Sequence, residues 1–124
     1  AHPFLDAADV ASPHQVKVVL SAASDGLYFS RSAIPFAREN QATVRHLRHQ
    51  GIYGYTRELL LRFVSWKPSP LERAESLEQL RALENGVRIH VLVTKTGSPG
   101  IDTPEDAAAL EQMLAGAKRK LVRR

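Results

Sequence analysis

One short connection constrains the fold more than any other feature of the sequence: the run Lys67–Pro70, in which two prolines surround a serine. Before this run, apolar residues at helical spacing predict a helix over residues 56–66. After it, Ser69 is placed to cap a second helix, with Glu72 at the capping-box position. The second helix is expected to span residues 70–84. The connection therefore marks where one helix ends and the next begins.

Two regions have clear strand patterns. The segments Val16–Leu20 and Leu27–Ser30 flank a turn signal and predict a β-hairpin. The clearest strand is Val87–Thr94, whose apolar residues alternate along one face. It follows Asn85-Gly86, which suits the left-handed end of a helix. With 124 residues, of which 44% are hydrophobic, the chain has the size and composition of a single α/β domain.

A further strand is expected around residues 45–55, and it contains groups able to bind a ligand. Alternation along a strand would place four residues on one face: His49, Gly51, Tyr53 and Tyr55. Glycine leaves room for close approach, and an imidazole beside phenol groups can hold a hydroxylated ligand. The alternative is that both tyrosines pack in the core and His49 is a satisfied edge residue.

The net charge of +4 is concentrated near the end of the sequence, where five basic residues lie within residues 118–124. The remaining chain has 12 basic and 13 acidic residues, so its body is nearly neutral. This balance argues against a nucleic-acid-binding surface, and no apolar run has membrane-spanning length. The absence of cysteine is compatible with a reducing compartment. We therefore expect a cytoplasmic protein with no nucleic-acid partner and no membrane partner.

The segment Gly100–Asp106 has the pattern of a loop that enters a helix, with Thr103 as the N-cap and Pro104 at the first helical position. Asp102 then lies just outside the helix, and its carboxylate is not needed for the cap. A carboxylate held at such a junction can bind a hard divalent cation such as Mg²⁺. The alternative is a plain turn residue, since Asp-Thr-Pro sequences commonly open turns.

A polar stripe is predicted opposite the apolar side of the second helix, formed by four residues: Glu72, Glu75, Glu78 and Gln79. Such a stripe is usually a solvated face. Carboxylate and carboxamide groups can also bind sugar hydroxyls. The spacing alone leaves both interpretations open.

Five short motifs occur in a fixed order along the chain. They are Leu27–Arg31 with Ile34-Pro35, Arg48–Tyr55, Pro68–Glu72, Glu75–Arg81 and Ile101–Asp106. Together they resemble the 3-deoxy-D-manno-octulosonate (Kdo) cytidylyltransferase family, and the resemblance covers almost the whole chain. A related cytidylyltransferase for the amino analogue of the same sugar would have much the same motifs.

The resemblance implies part of a nucleotide-sugar-transferase-like α/β fold, with a mixed sheet flanked by helices and a β-hairpin, usually in a homodimer. It implies transfer of CMP from CTP to Kdo with release of pyrophosphate and with Mg²⁺ as cofactor. By matching motifs, Asp102 would be one ligand of that Mg²⁺. The same matching places five residues at the sugar site: Arg31, His49, Tyr53, Glu78 and Gln79.

Members of this family are about twice as long as the present chain. The resemblance assigns residues 1–124, as a single domain, to the C-terminal half that binds the sugar and forms the dimer. The CTP-binding first half, with its basic phosphate loop and a second metal-binding aspartate, has no counterpart here. The segment after Pro35 is also shorter than the charged loop usual in the family. We therefore expect the chain alone to be inactive. The alternative is a non-catalytic sugar-binding or dimerisation module derived from the same fold.

Overall fold

The computed structural model describes residues 1–38 and 44–97, together with residues 104, 107–108 and 110–114. The strands are β1 (His2–Pro3), β2 (Lys17–Leu20), β3 (Gly26–Ser30) and β4 (Leu47–Arg48). The helices are α1 (Arg57–Ser65), α2 (Pro70–Glu75) and α3 (Gln79–Glu84), with a 3₁₀ helix at Ala7–Ala11. The described positions from 104 to 114 are also helical. A sheet flanked by helices confirms the predicted α/β class.

The strands form one sheet in the order β1-β4-β2-β3. β2 and β3 are the predicted hairpin, in which Lys17 lies opposite Ser30. In the turn between them, Ser21 Oγ accepts a hydrogen bond from the Asp25 backbone N–H at 3.1 Å. The hairpin prediction is confirmed. Every strand pair within the described part of the chain is antiparallel, so the parallel pairing of a mixed sheet is not represented there.

Two of the three predicted helix starts are confirmed, and the third, at Thr103, lies outside the described residues. Thr56 caps α1 by accepting a hydrogen bond from the Leu59 backbone N–H at 3.2 Å. At the start of α2, the Glu72 carboxylate accepts from the Ser69 backbone N–H at 3.0 Å. Gly86 has a φ of 75°, as expected where a helix exits through the left-handed region. Among the described residues, no helix has the length and apolar character needed to cross a membrane.

The second helical segment is interrupted, so the prediction of one helix over residues 70–84 is wrong. α2 ends at Glu75, and the next residue, Ser76, has a left-handed backbone with a φ of 52°. The Leu77 N–H bonds back to the Glu72 carbonyl, which closes the end of α2 before α3 begins. The break buries Gln79, which the pattern had placed in an exposed stripe.

The strand predicted around residues 45–55 is wrong beyond Arg48, where β4 ends. Residues 49–55 are irregular, and the Ile52 N–H bonds to the Gln50 carbonyl within this segment. Its two glycines have no side chains to pack on a sheet. Side chains on a loop therefore replace the predicted face of alternating strand residues.

Residues 87–94 do not form the strand that their alternating pattern predicted. Within the described part of the chain they make one isolated bridge, between Asp25 and His90. Further along, the Ala1 ammonium donates to the Leu92 carbonyl at 2.8 Å. Residues 87–94 bond to the hairpin through the Gly26 N–H on the Ile89 carbonyl and the Val91 N–H on the Ser24 carbonyl, which are too few bonds for a continuous ladder.

The core lies between the hairpin and the helices that follow it. Its buried cluster contains Val18 and Phe29 from the sheet and Leu77 and Leu80 from the helical side, none more than 7% exposed. Burial of these apolar side chains supplies the main favourable term for packing α3 onto the sheet. The packing sets the position of the turn between α2 and α3 relative to β3.

Candidate functional site

Six aromatic side chains form a row that we call the ring wall: Phe29, His49, Tyr53, Tyr55, Phe63 and Trp66. Successive ring centroids are 5.2 to 6.1 Å apart. Tilted and edge-to-face contacts at these distances are favourable. The row starts on β3 and ends just after α1. The irregular loop of residues 49–55 is therefore held through its aromatic side chains.

His49 and Tyr53 are joined by a hydrogen bond of 2.6 Å between the imidazole Nε2 and the phenol oxygen. Burial lowers the pKa of His49 to about 4, with a smaller contribution from the Ala1 ammonium. Burial also raises the pKa of Tyr53, and Tyr55 and Glu78 raise it further. Both groups are therefore neutral at pH 7.

The direction of this hydrogen bond follows from the acidities of the two groups. A phenol O–H is a stronger acid than a neutral imidazole N–H, and imidazole is the stronger base. The Tyr53 hydroxyl therefore donates to His49 Nε2, which leaves Nδ1 as the protonated nitrogen. In this state His49 can offer a neutral N–H donor to a ligand, and the Tyr53 oxygen can offer an acceptor.

A cleft of about 610 Å³ opens beside the ring wall. Its lining includes His49 and Tyr53 as well as residues 87–92. His90 stands among the latter, and its Nδ1 lies 3.3 Å from the Asp25 carboxylate. The cleft combines aromatic surface with a few polar groups, which is the usual composition of a ligand site.

Glu78 and Gln79 lie at the start of α3 and line a second depression of about 480 Å³. After burial, the negative charge of Glu78 is among the causes that raise the pKa of Tyr53 and Tyr55, so it acts electrostatically on the ring wall. Gln79 is only 4% exposed, and its Nε2 has no hydrogen-bond partner in the described part of the chain. A buried amide donor without a partner costs free energy, and a ligand acceptor would remove that cost.

Arg31 belongs to neither lining, because its guanidinium faces main-chain carbonyls. Nε donates to the Glu75 carbonyl at 2.7 Å, and Nη1 donates to the Pro13 carbonyl at 2.9 Å. Nη2 donates to the Ser76 carbonyl at 3.4 Å. Of the five predicted sugar-site residues, the structure joins the histidine and the tyrosine directly. Glu78 acts electrostatically on Tyr53, Gln79 follows Glu78 at the start of α3, and Arg31 is hydrogen-bonded to main-chain carbonyls.

Asp102, the predicted Mg²⁺ ligand, lies outside the described residues, so its role as a ligand stays a prediction. Within the described ranges, no group of three or more histidine, cysteine or acidic side chains could hold a metal ion.

Pattern reasoning missed two members of a polar network. Glu75, assigned to the stripe, accepts hydrogen bonds from Ser30 Oγ at 2.6 Å and from the Arg31 backbone N–H at 2.9 Å. Lys17 is fully buried, and its Nζ donates to the carbonyls of Ser12 and Arg31. The sequence signal that could have identified Lys17 is a single charged residue within an apolar run. A buried ammonium requires hydrogen-bond partners, so such a residue indicates a buried polar network.

Comparison with known proteins agrees with this architecture. Residues 2–89 match the family described as cytidylyltransferase. The 3-deoxy-manno-octulosonate cytidylyltransferase of Chlorobium luteolum is 46% identical over 114 residues, covering 92% of this chain and 45% of the relative. That of Polynucleobacter necessarius is 48% identical over 118 residues, covering 93% of this chain and 46% of the relative.

A solved structure of CMP:2-keto-3-deoxy-manno-octonic acid synthetase in complex with CTP is also similar. It has a TM-score of 0.83 and 42% sequence identity, over 96% of this chain and 47% of that chain. The present chain thus spans about half the length of the relatives it matches. The matched region, residues 2–89, contains the sheet, α1 to α3 and the ring wall. Sequence and three-dimensional structure agree, and the chain belongs to the cytidylyltransferase family.

Proposed function

We propose that this chain forms the sugar-binding part of a cytidylyltransferase that transfers CMP from CTP to Kdo, for lipopolysaccharide biosynthesis. The observation that supports it most is the buried carboxamide of Gln79, whose Nε2 lacks a partner among the described residues. Glu78 precedes it and acts electrostatically on Tyr53. Relatives at 46–48% identity are named for this reaction, which supports the choice of sugar.

The proposed groups suit an acidic, polyhydroxylated sugar. Glu78 would accept hydrogen bonds from hydroxyls, and Gln79 Nε2 would donate to a hydroxyl or carboxylate oxygen. His49 would bind the carboxylate as a neutral N–H donor and not as a cation, because its pKa is about 4. The Tyr53 oxygen would accept from a hydroxyl. Arg31 belongs to the proposed site as a residue that shapes it.

In the proposed reaction, the anomeric hydroxyl of the sugar attacks the α-phosphorus of CTP. A bond forms between the sugar oxygen and that phosphorus, the bond from that phosphorus to the α–β bridging oxygen breaks, pyrophosphate leaves, and the hydroxyl proton passes to water. The residues of this chain orient the attacking hydroxyl, which lowers the barrier by positioning. Mg²⁺ is proposed as the cofactor, with Asp102 as one of its ligands, and it would neutralise negative charge on the phosphates.

A homodimer and a cytoplasmic location are also part of the proposal. A depression of about 540 Å³, mainly apolar, is lined by Leu5 and Phe36, which are 89% and 85% exposed. Covering large apolar side chains favours association, and a second copy of the chain offers the same surface. The absence of cysteine suits a reducing compartment, where the nucleotide substrate would also be available.

Calorimetric titration of the chain with Kdo tests the sugar-binding proposal. We expect saturable binding that Gln79→Leu weakens about tenfold, because that variant removes the buried donor. The matched control is Gln112→Leu, at an exposed position, and it should leave the affinity unchanged. A wild-type chain that does not bind Kdo would contradict the proposal and favour a structural module. We also expect no pyrophosphate release from CTP and Kdo by the chain alone, and turnover would contradict its assignment as only part of the enzyme.

A further inference from the structure

The Arg31 side chain holds the backbone at the point where α2 ends. Its Nε and Nη2 atoms donate to the carbonyls of Glu75 and Ser76, at 2.7 and 3.4 Å. Its Nη1 atom donates to the Pro13 carbonyl at 2.9 Å. At the C-terminal end of a helix, backbone carbonyls lack intrahelical partners and the partial charge is negative. A guanidinium suits this place because its donors form a rigid fork that reaches several acceptors at once.

The backbone of Arg31 is hydrogen-bonded as well as its side chain. The Glu75 carboxylate accepts from the Arg31 N–H at 2.9 Å and from the Ser30 hydroxyl at 2.6 Å. Lys17, which is fully buried, donates from Nζ to the Arg31 carbonyl. The side chain, the N–H and the carbonyl of Arg31 are therefore all bonded. The end of β3 and the end of α2 are joined at this one residue.

This junction controls the residues that come next. Ser76 has a φ of 52°, in a region that residues other than glycine rarely occupy. Glu78 and Gln79 follow within three positions, so their direction depends on this turn. We propose that Arg31 is a positioning residue, which holds the turn at Ser76 and thereby aims Glu78 and Gln79 at the ligand without contacting it. The identity of the ligand rests on the proposed function, whereas the hydrogen bonds by which Arg31 holds the turn do not depend on it.

Amide hydrogen exchange of the 124-residue chain tests the positioning role without any ligand. In Arg31→Gln we expect about tenfold faster exchange at Leu80 and Arg81, whose N–H groups bond to carbonyls within the turn. Amides of β2 should change less than about twofold, because a local opening does not expose them. Arg57→Gln, at the exposed start of α1, is the matched control and should change neither set.

Kdo titration of the same variants is the second readout. We expect Arg31→Gln to weaken binding about tenfold and Arg31→Lys to restore part of it, because lysine keeps the charge but reaches fewer carbonyls. Lost binding with unchanged exchange would indicate direct contact with the sugar and overturn the inference, and so would unchanged exchange with unchanged binding. Failure of the wild-type chain to bind Kdo would reject the proposed function, while the exchange comparison would still decide the role of Arg31. Should Arg31→Gln not fold, Arg31→Lys allows the same comparison.

Discussion

The ring wall and the turn at residues 75–79 contribute different groups to the proposed site and are held by different forces. In the ring wall, ring-to-ring contacts at 5.2 to 6.1 Å hold a loop that forms no strand. In the turn, charged side chains bond to main-chain atoms, Arg31 to carbonyls and Glu75 to an N–H. The first depends on packing of neutral surfaces, and the second on charge-assisted hydrogen bonds. The two regions should therefore respond to different perturbations.

Arg81 connects the two regions. Its guanidinium lies 4.7 Å from the centroid of the Phe63 ring, the last ring but one of the ring wall. Its Nε and Nη2 atoms donate to the Glu72 carboxylate at 2.7 and 2.5 Å. This pair also ties α2 to α3 across the break between them, so its removal should loosen the turn more than the wall.

The largest expected effect comes from removing a ring at the start of the wall. Phe29 is 1% exposed, and its ring centroid is 5.2 Å from that of His49. Phe29→Ala leaves a cavity and should lower the free energy of unfolding by about 3–5 kcal/mol. Urea unfolding measures this change. Phe36→Ala, at a position 85% exposed, should cost less than about 0.5 kcal/mol, and equal losses would contradict the buried placement of the wall.

Mild acid should weaken the wall before it affects the turn. Since the pKa of His49 falls to about 4 on folding, its neutral form stabilises the fold fully above about pH 6.5. As the pH falls from there toward 4, His49 becomes protonated in the unfolded chain but stays neutral in the folded chain. The free energy of unfolding therefore decreases over this range. With allowance for partial exposure, the loss should be about 2 kcal/mol. Urea unfolding across this pH range measures the loss. If the His49→Asn variant kept the full pH dependence, the loss would come from another titratable group.

The smallest expected effect is the loss of one charge beside the turn. Glu72→Gln leaves Arg81 without its anionic partner and should cost about 1–2 kcal/mol in free energy of unfolding. The hydrogen bond from Arg81 is the main reason that the pKa of Glu72 is lowered, with burial opposing it. Its contribution is therefore present at neutral pH and is lost only as the pH falls below about 4.3. Thermal unfolding measures the change, and Glu58→Gln, at an exposed position, is the control. If both variants lost the same free energy of unfolding, the Arg81–Glu72 pair would not contribute to stability.

The sequence predicted those parts of the fold that depend on neighbouring residues. The hairpin turn, the helix start at Ser69 with Glu72 and the exit at Gly86 each need only a few adjacent residues, and each was confirmed. His49 and Tyr53 were predicted to share one face of a strand that is absent. The irregular loop of residues 49–55 instead brings their side chains into a direct hydrogen bond of 2.6 Å.

The break at Ser76 could not be predicted from local pattern, because the groups that hold it are far away in sequence. Arg31 reaches the carbonyls of Glu75 and Ser76 across 44 and 45 positions. For the same reason, the pattern placed Gln79 in a solvated stripe, whereas the fold buries it. The alternation of residues 87–94 likewise indicated a strand without indicating which partner would lie beside it.

The sequence by itself determined the helix and hairpin boundaries that caps and turn residues set, because these signals involve only neighbouring residues. It also determined the family to which the chain belongs, because short motifs in a fixed order identify it. Only the tertiary structure decided which polar groups are neutral, buried or committed to the backbone. Those properties depend on desolvation and on hydrogen bonds between distant residues, as at His49, Gln79 and Arg31.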